Sequence, residues 1–82
     1  MATVEEAKRA VLTLLARRAR QATVCPSEAA RALDPEDWRD AMPIVHAAVD
    51  AMRAENRISL SWKGKAIDTR DGPYRIGRVM PG

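Results

Sequence analysis

The chain has 82 residues, a net charge of +3, three aromatic residues and no phenylalanine, so it supports one small core filled by aliphatic side chains. Its apolar runs are far shorter than the roughly 20 residues of a membrane span, which excludes a membrane partner. The lone Cys25 and the acidic Glu5 and Glu6 exclude a disulfide-stapled secreted domain and predict a cytoplasmic protein. We expect a single domain over residues 1–82, with a frayed tail at residues 79–82.

A first helix is predicted from a capping box, in which Thr3 precedes Glu6 by three residues. Apolar residues then recur at helical spacing through about Ala19. The opposite face of this helix is basic, and we interpret it as a solvated surface. Its cations are Lys8, Arg9, Arg17, Arg18 and Arg20.

The next segment combines a short strand with a second helix. Residues 23–25 favour β-structure and could pair with a later hairpin, although they are too few for more than a very short strand. Pro26 suits the first turn of a helix, and Asp34 with Pro35 predicts where that helix ends.

The third helix is predicted to be interrupted near its start. We expect a short turn at residues 35–39 and a fresh cap at Asp40, followed by a helix from about Ala41 to Asn56. The reason is Pro43, which removes a hydrogen bond and should break or bend a helix that begins earlier. One arc of this helix is apolar, and the other exposes Arg39, His46 and Arg53.

From Arg57 onward the apolar period changes to two, which predicts strands. Ile58, Leu60 and Trp62 share one face, so we expect Trp62 to be buried against the third helix, near Val45, Val49 or Met52. Lys63-Gly64-Lys65 forms a turn, residues 66–68 form a short return, and residues 74–77 form a last strand. Trp38, at the entry of the third helix, is also expected to point inward.

This order of elements is that of a winged helix, an α+β fold with three helices, a short first strand and a C-terminal β-hairpin wing. Over roughly residues 4–78 the chain also resembles a small bacterial winged-helix family known only as a domain of unknown function. The motifs that carry the resemblance are "CPSEAARAL", the "DW" at 37–38, and "KGKAID" followed by "GPYRIGR". The resemblance implies the winged-helix fold and implies no activity.

Two residues could in principle carry chemistry. Cys25 and His46 are the only residues of their kinds, so a nucleophilic pair would need them in contact, and a zinc site would need further ligands from carboxylates. We interpret Cys25 as a small buried hydrophobe and His46 as a solvent-facing residue that could contact a phosphate or a base. We therefore predict no enzymatic activity, no metal and no cofactor.

The charge is divided unevenly along the chain. Residues 1–22 carry a net charge of +3, residues 23–56 carry −4 and residues 57–82 carry +4. Phosphate is therefore attracted to the two ends of the sequence and repelled by its middle, where a recognition helix would lie. The carboxylates at the starts of the second and third helices argue against base reading by that helix.

Two functions remain open at this point. The first is weak, mainly backbone-directed binding of double-stranded DNA through a basic wing. The candidate contact residues are Arg39, His46, Arg53, Lys63, Lys65 and Arg70. The alternative is a protein-interaction module that keeps the winged-helix scaffold without binding DNA. The sequence does not predict an oligomeric state.

Overall fold

Three helices are followed by a three-stranded antiparallel sheet, as predicted for an α+β winged-helix layout, in the computed structural model, which describes residues 2–70 and 72–79. The elements are α1 (Val4–Ala16), α2 (Pro26–Leu33), α3 (Trp38–Ala54), β1 (Ile58–Trp62), β2 (Lys65–Ile67) and β3 (Arg75–Arg78). The strand order in the sheet is β2-β1-β3. Most of the tail that we expected to fray, residues 80–82, lies outside the described residues.

Helix α1 begins at the predicted capping box but ends at Ala16, earlier than the predicted end near Ala19. A residue near the far end of the chain contacts this helix end. The guanidinium of Arg78 donates hydrogen bonds to the carbonyl oxygens of Leu15 and Arg18, at 2.7 and 3.3 Å. The Leu15 carbonyl also accepts from the backbone N–H of Arg18 at 3.1 Å, and the bonds from Arg78 connect β3 to the end of α1.

Helix α2 has the predicted bounds, with Pro26 in its first turn. Its N-terminus is held by Glu28, whose carboxylate accepts a hydrogen bond of 2.8 Å from the backbone N–H of Cys25. The same carboxylate forms a 2.6 Å salt bridge with Arg18. Glu28 thus caps its own helix and joins that helix to the segment that follows α1.

Helix α3 runs unbroken over Trp38–Ala54 with Pro43 inside it, so the predicted turn is limited to residues 35–37, and the predicted fresh cap at Asp40 and break near Pro43 are wrong. Pro43 removes one hydrogen bond, the one to the carbonyl of Arg39 in the first turn. Against this loss stands an apolar face that packs on α1 and α2. The buried residues of this face are Ala41, Val45, Ala48, Val49 and Met52. Burial of the whole face therefore outweighs the local preference of the proline.

The end of α3 is set by Asn56, which adopts a left-handed conformation with φ 59°. The backbone N–H groups of Asn56 and Arg57 donate to the carbonyl oxygens of Arg53 and Met52, at 3.0 and 2.9 Å. This is the Schellman arrangement, in which a residue with positive φ reverses the chain and satisfies the last carbonyl groups. The reversal directs the chain into β1.

Strand β3 connects the sheet to the helical part of the molecule. It pairs with β1, where Ile76 lies opposite Leu60, and on its other edge Ile76 forms a β-bridge with Val24. The two bridge hydrogen bonds measure 2.7 and 2.8 Å. Arg75 adds a hydrogen bond of 2.6 Å to the hydroxyl of Thr23. The predicted pairing of the segment at residues 23–25 with a later strand is confirmed.

Strands β1 and β2 form a hairpin with a two-residue turn. The turn residues Lys63 and Gly64 have φ of 52° and 80°, the positive values of a type I′ turn. Trp62 pairs with Lys65 as the last rung of the hairpin. Two-residue turns of this type match the twist of the strands, so the hairpin reverses sharply at its tip.

Trp62 is on the predicted face of β1 but is not buried as predicted. Its side chain is 39% exposed, whereas Ile58 and Leu60 on the same face are 1% and 2% exposed. The alternation of the strand fixes the face of a side chain and does not fix how far the helices cover that face. The last rung of the hairpin reaches past the covered part, which leaves the indole open to water.

The core contains side chains from all three helices and from β1 and β3. Its largest fully buried side chains are Met52, Ile58, Ile76, Val11, Val24, Val45 and Val49. Trp38 is half-buried at the edge of this cluster, so the prediction that it points inward holds only in part. Within the described residues, every helix is too short or too polar to cross a membrane.

The unequal burial of Ile76 and Trp62 predicts unequal costs of truncation. Ile76→Ala should lower the free energy of unfolding by about 2–5 kcal/mol, because it leaves a cavity in the core. Trp62→Ala should cost less than Ile76→Ala, because Trp62 is already 39% exposed and its truncation opens no closed cavity in the core. Chemical denaturation of both variants, followed by circular dichroism, measures the two values. A larger loss for Trp62→Ala than for Ile76→Ala would contradict this account.

Candidate nucleic-acid interface

The tip of the β1–β2 hairpin carries two exposed cations, Lys63 and Lys65. Within residues 2–70 and 72–79, neither lysine takes part in a salt bridge. Lys63 lies in the turn, and Lys65 lies opposite Trp62 in the last rung of the hairpin, next to the turn. Among the described residues, the tip therefore presents two lysines without a salt bridge beside an exposed aromatic ring.

The segment after β2 folds back onto α3 through two salt bridges. The guanidinium of Arg70 donates two hydrogen bonds of 2.9 Å to the carboxylate of Asp50. Arg53 lies 3.6 Å from the carboxylate of Asp68. The hydrogen bonds with Asp50 also raise the pKa of Arg70. Both candidate cations, Arg53 and Arg70, are thus paired with carboxylates, and Arg70 has the shorter contact.

These salt bridges change what the last turns of α3 can do. In a helix-turn-helix complex, the outer face of the recognition helix approaches the DNA. Here Asp50 and Arg53 on that face are paired with the wing segment of residues 68–70. The start of α3 carries Asp37 and Asp40. The helix therefore offers little uncompensated positive charge to phosphate.

His46 is not the solvent-facing residue that the sequence predicts. It is half-buried, and its Nδ1 shares a hydrogen bond of 2.7 Å with the hydroxyl of the buried Tyr74. The two rings are tilted at 54° with centroids 5.7 Å apart. His46 therefore connects α3 to the segment that leads into β3.

The surroundings of His46 favour its neutral form. Burial lowers the pKa of His46 below its ordinary value of 6.5, and the nearby Arg70 guanidinium lowers it further, while Asp50 acts in the opposite direction. Burial also raises the pKa of Tyr74. A neutral imidazole has no charge with which to attract phosphate, so the structure gives His46 a different role from that of the lysines.

Arg39 lies at the start of α3, where it shares an aromatic ring with a second arginine. The guanidinium carbons of Arg31 and Arg39 lie 4.6 and 4.7 Å from the ring centroid of Trp38. Stacking on an indole leaves the N–H groups at the edge of a guanidinium available to other acceptors. Both arginines are exposed, and Arg31 is a partner that the sequence did not indicate.

An open groove lies between α3 and the tip of the hairpin. It has a volume of about 370 Å³, and its walls include Met42, His46, Trp62 and Pro73. Cys25 also lines this groove, half-buried rather than buried as predicted, with its Sγ 3.2 Å from the hydroxyl of Ser27. The groove is mainly apolar, which fits a flat or aliphatic group rather than an ion.

The basic surface formed by α1 and the residues that follow it, 17–20, is only partly neutralised. Lys8 pairs with Glu5 and Glu55, and Arg18 pairs with Glu28. The remaining cations of this surface are exposed, and they are Arg9, Arg17 and Arg20. The hydrogen bonds of Arg78 place the end of α1 beside the last residue of β3, at the end of the sheet away from the hairpin tip.

Sequence reasoning failed to identify Trp62 as a surface residue, although a signal was present. In "WKGK", the Lys63-Gly64 pair indicates a two-residue turn, and Trp62 must then occupy the final rung of the hairpin. A final rung has no further strand beyond it to extend the core. Among the described residues, no group of three or more histidine, cysteine, aspartate and glutamate residues could hold a metal ion.

The lowered pKa of His46 predicts a stability that depends on pH. The imidazole of His46 binds a proton more readily in the unfolded chain than in the folded chain. The contribution of His46 to the free energy of unfolding should therefore be complete above pH 6.5. It should fall as the pH drops through 6.5 towards the lower pKa of the folded state. His46 is the only histidine in the chain. Thermal melts between about pH 7.5 and about pH 5 should therefore show a smaller pH dependence for His46→Gln than for the wild type. An equal change of melting temperature with pH in the two proteins would contradict the prediction.

The positive φ of Lys63 predicts that a lysine at this turn position lowers the free energy of unfolding. Lys63→Asn should raise the free energy of unfolding by up to about 1 kcal/mol, because asparagine adopts left-handed conformations more readily. Lys65→Asn removes the same charge at a strand position and should bring no such gain. Denaturant titrations of the two variants make the comparison, and equal effects would show that only the charge matters.

The comparison with protein families places the chain in a group without a known activity. A family model described as "Protein of unknown function (DUF3253)" matches residues 4–79, a range that includes every helix and strand and the hairpin tip. No curated protein sequence matches the chain. The resemblance to a domain of unknown function is thereby confirmed. The chain belongs to the DUF3253 family.

Proposed function

We propose that this protein binds nucleic acid weakly and with little sequence preference, through phosphate contacts made by the tip of the β1–β2 hairpin. The observation that carries the proposal is the pair of exposed lysines, Lys63 and Lys65, which have no salt-bridge partner among the described residues. Double-stranded DNA is the expected ligand class, because its phosphates are densely spaced and attract clustered cations.

The backbone of the turn supports a functional role for Lys63. The first position of a type I′ turn favours asparagine, aspartate or glycine, because it requires a positive φ. Lys63 occupies this position with φ 52°. A lysine there does not improve the turn, and its charge has no partner in the described fold that would stabilise the hairpin. Strained residues with no structural benefit are often placed where a ligand binds.

The remaining candidate cations limit the expected affinity. Arg53 and Arg70 are held by carboxylates, and His46 favours the neutral form. Arg39 is available, but it lies beside acidic residues at the start of α3. A small number of phosphate contacts gives dissociation constants of roughly 10⁻⁴ to 10⁻⁶ M at physiological salt. The same limit predicts little discrimination between sequences, because phosphate contacts carry no base information.

A salt titration of duplex binding tests the proposal. The logarithm of the affinity should fall linearly with the logarithm of the salt concentration. A Lys63→Gln/Lys65→Gln double variant should reduce the slope by about two and weaken binding to unrelated duplexes alike. Fluorescence anisotropy with a labelled duplex measures both quantities.

The matched control is Arg17→Gln/Arg20→Gln, which removes the same charge at the other end of the sheet. This control should leave most of the affinity and the slope intact. If the control removes binding and the hairpin variant does not, the site lies on the basic surface formed by α1 and residues 17–20. If the wild type binds no duplex even at about 50 mM salt, the function is not nucleic-acid binding, and a protein-interaction module becomes the better explanation.

A further inference from the structure

Trp62 is exposed, and it has the two lysines of the hairpin tip on one side and an apolar groove on the other. Its 39% exposure is unusual for a residue on the core-facing side of a strand, since Ile58 and Leu60 on that side are buried. The indole is large, rigid and half-uncovered. Such a ring is suited to stacking against another flat ring.

The register of the hairpin places a cation directly beside this indole. Trp62 and Lys65 are paired across β1 and β2, so their side chains lie on the same face of the hairpin. The β-carbons of such a pair are about 4.5–5.5 Å apart, and the lysine side chain is long enough to extend beyond the ring. Lys63 follows Trp62 directly in the turn. A nucleotide whose base lay on the indole would therefore have its phosphates close to both lysines.

The groove beside Trp62 has the size and polarity for a single flat group. Its volume of about 370 Å³ lies at the lower end of the range of roughly 300–1,000 Å³ that is typical of small-ligand sites. Met42 on α3 and Pro73 on the segment before β3 line the groove together with Trp62. A base entering from the hairpin side would meet apolar surface, while its charged backbone stayed at the lysines.

We propose that Trp62 is a stacking platform for an unpaired nucleobase, with Lys63 and Lys65 holding the flanking phosphates. The inference rests on the proposed function and narrows its ligand class to nucleic acid that contains unpaired bases. In an intact duplex each base is stacked between its neighbours, so its face is not accessible to an indole. An unpaired base has a free face, and stacking of bases on aromatic side chains tolerates any sequence.

The test compares three fluorescein-labelled probes: an intact duplex, the same duplex with a central stretch of unpaired adenines, and the corresponding single strand. The wild type should bind the two probes with unpaired bases about 5- to 100-fold more tightly than the duplex at one salt concentration. Trp62→Ala should lose this preference but keep the duplex affinity and the salt slope. Trp62→Tyr, which keeps an aromatic ring, should retain most of the preference.

Lys65→Gln is the matched control on the same rung of the hairpin. It should weaken binding to all three probes by a similar factor and leave the preference for unpaired bases unchanged. Quenching of the indole emission of the unmodified protein by the unpaired probe, and not by the duplex, gives a second measurement that needs no truncated variant. Loss of this quenching in Trp62→Tyr assigns it to Trp62 rather than Trp38.

The outcomes separate this inference from the proposed function. Salt-dependent binding with equal affinity for all three probes would overturn the stacking role and leave the phosphate contacts standing. A preference for unpaired bases that survives in Trp62→Ala would also overturn it, because another residue would then provide the platform. Failure of every probe to bind would refute both proposals together.

Discussion

The antiparallel pairing of β3 with Val24 on one edge and with β1 on the other is the contact on which the rest of the fold depends. The helices come from the first two thirds of the chain and most of the sheet from the last third, and β3 joins them. Ile76 lies at its centre, fully buried and bonded to Val24 in both directions. Arg78 donates a hydrogen bond to the carbonyl of Leu15 near the end of α1, and Arg75 donates one to the hydroxyl of Thr23. One short strand therefore sets the positions of distant elements.

The wing is folded against α3 rather than held away from it. The salt bridges of Arg70 with Asp50 and of Arg53 with Asp68 pair charges on the helix surface that reads bases in helix-turn-helix complexes. The same folding separates the charges of the wing into two groups. Arg70 is paired with Asp50 on α3, whereas Lys63 and Lys65 at the tip are exposed. The hairpin tip with its adjoining groove therefore offers its two lysines to a ligand.

The groove itself depends on contacts between distant parts of the sequence. His46 on α3 reaches Tyr74 before β3, and this hydrogen bond joins the two walls of the groove. Burial favours the neutral form of His46, and the lining of the groove is mainly apolar, while the hairpin tip beside it carries two lysines. An apolar slot next to two cations matches the chemistry of a nucleotide, which has a flat ring and a charged backbone.

The sequence by itself determined the order of the elements, because capping residues, turn residues and apolar periods are local signals. It also determined the face of Trp62 and the charge of the hairpin tip. Only the tertiary structure decided that α3 runs through Pro43, since burial of a whole helix face outweighs one lost hydrogen bond. Likewise, exposure of Trp62, pairing of Arg70 and burial of His46 depend on residues far away along the chain. A sequence pattern gives the direction of a side chain, and only packing gives its neighbours.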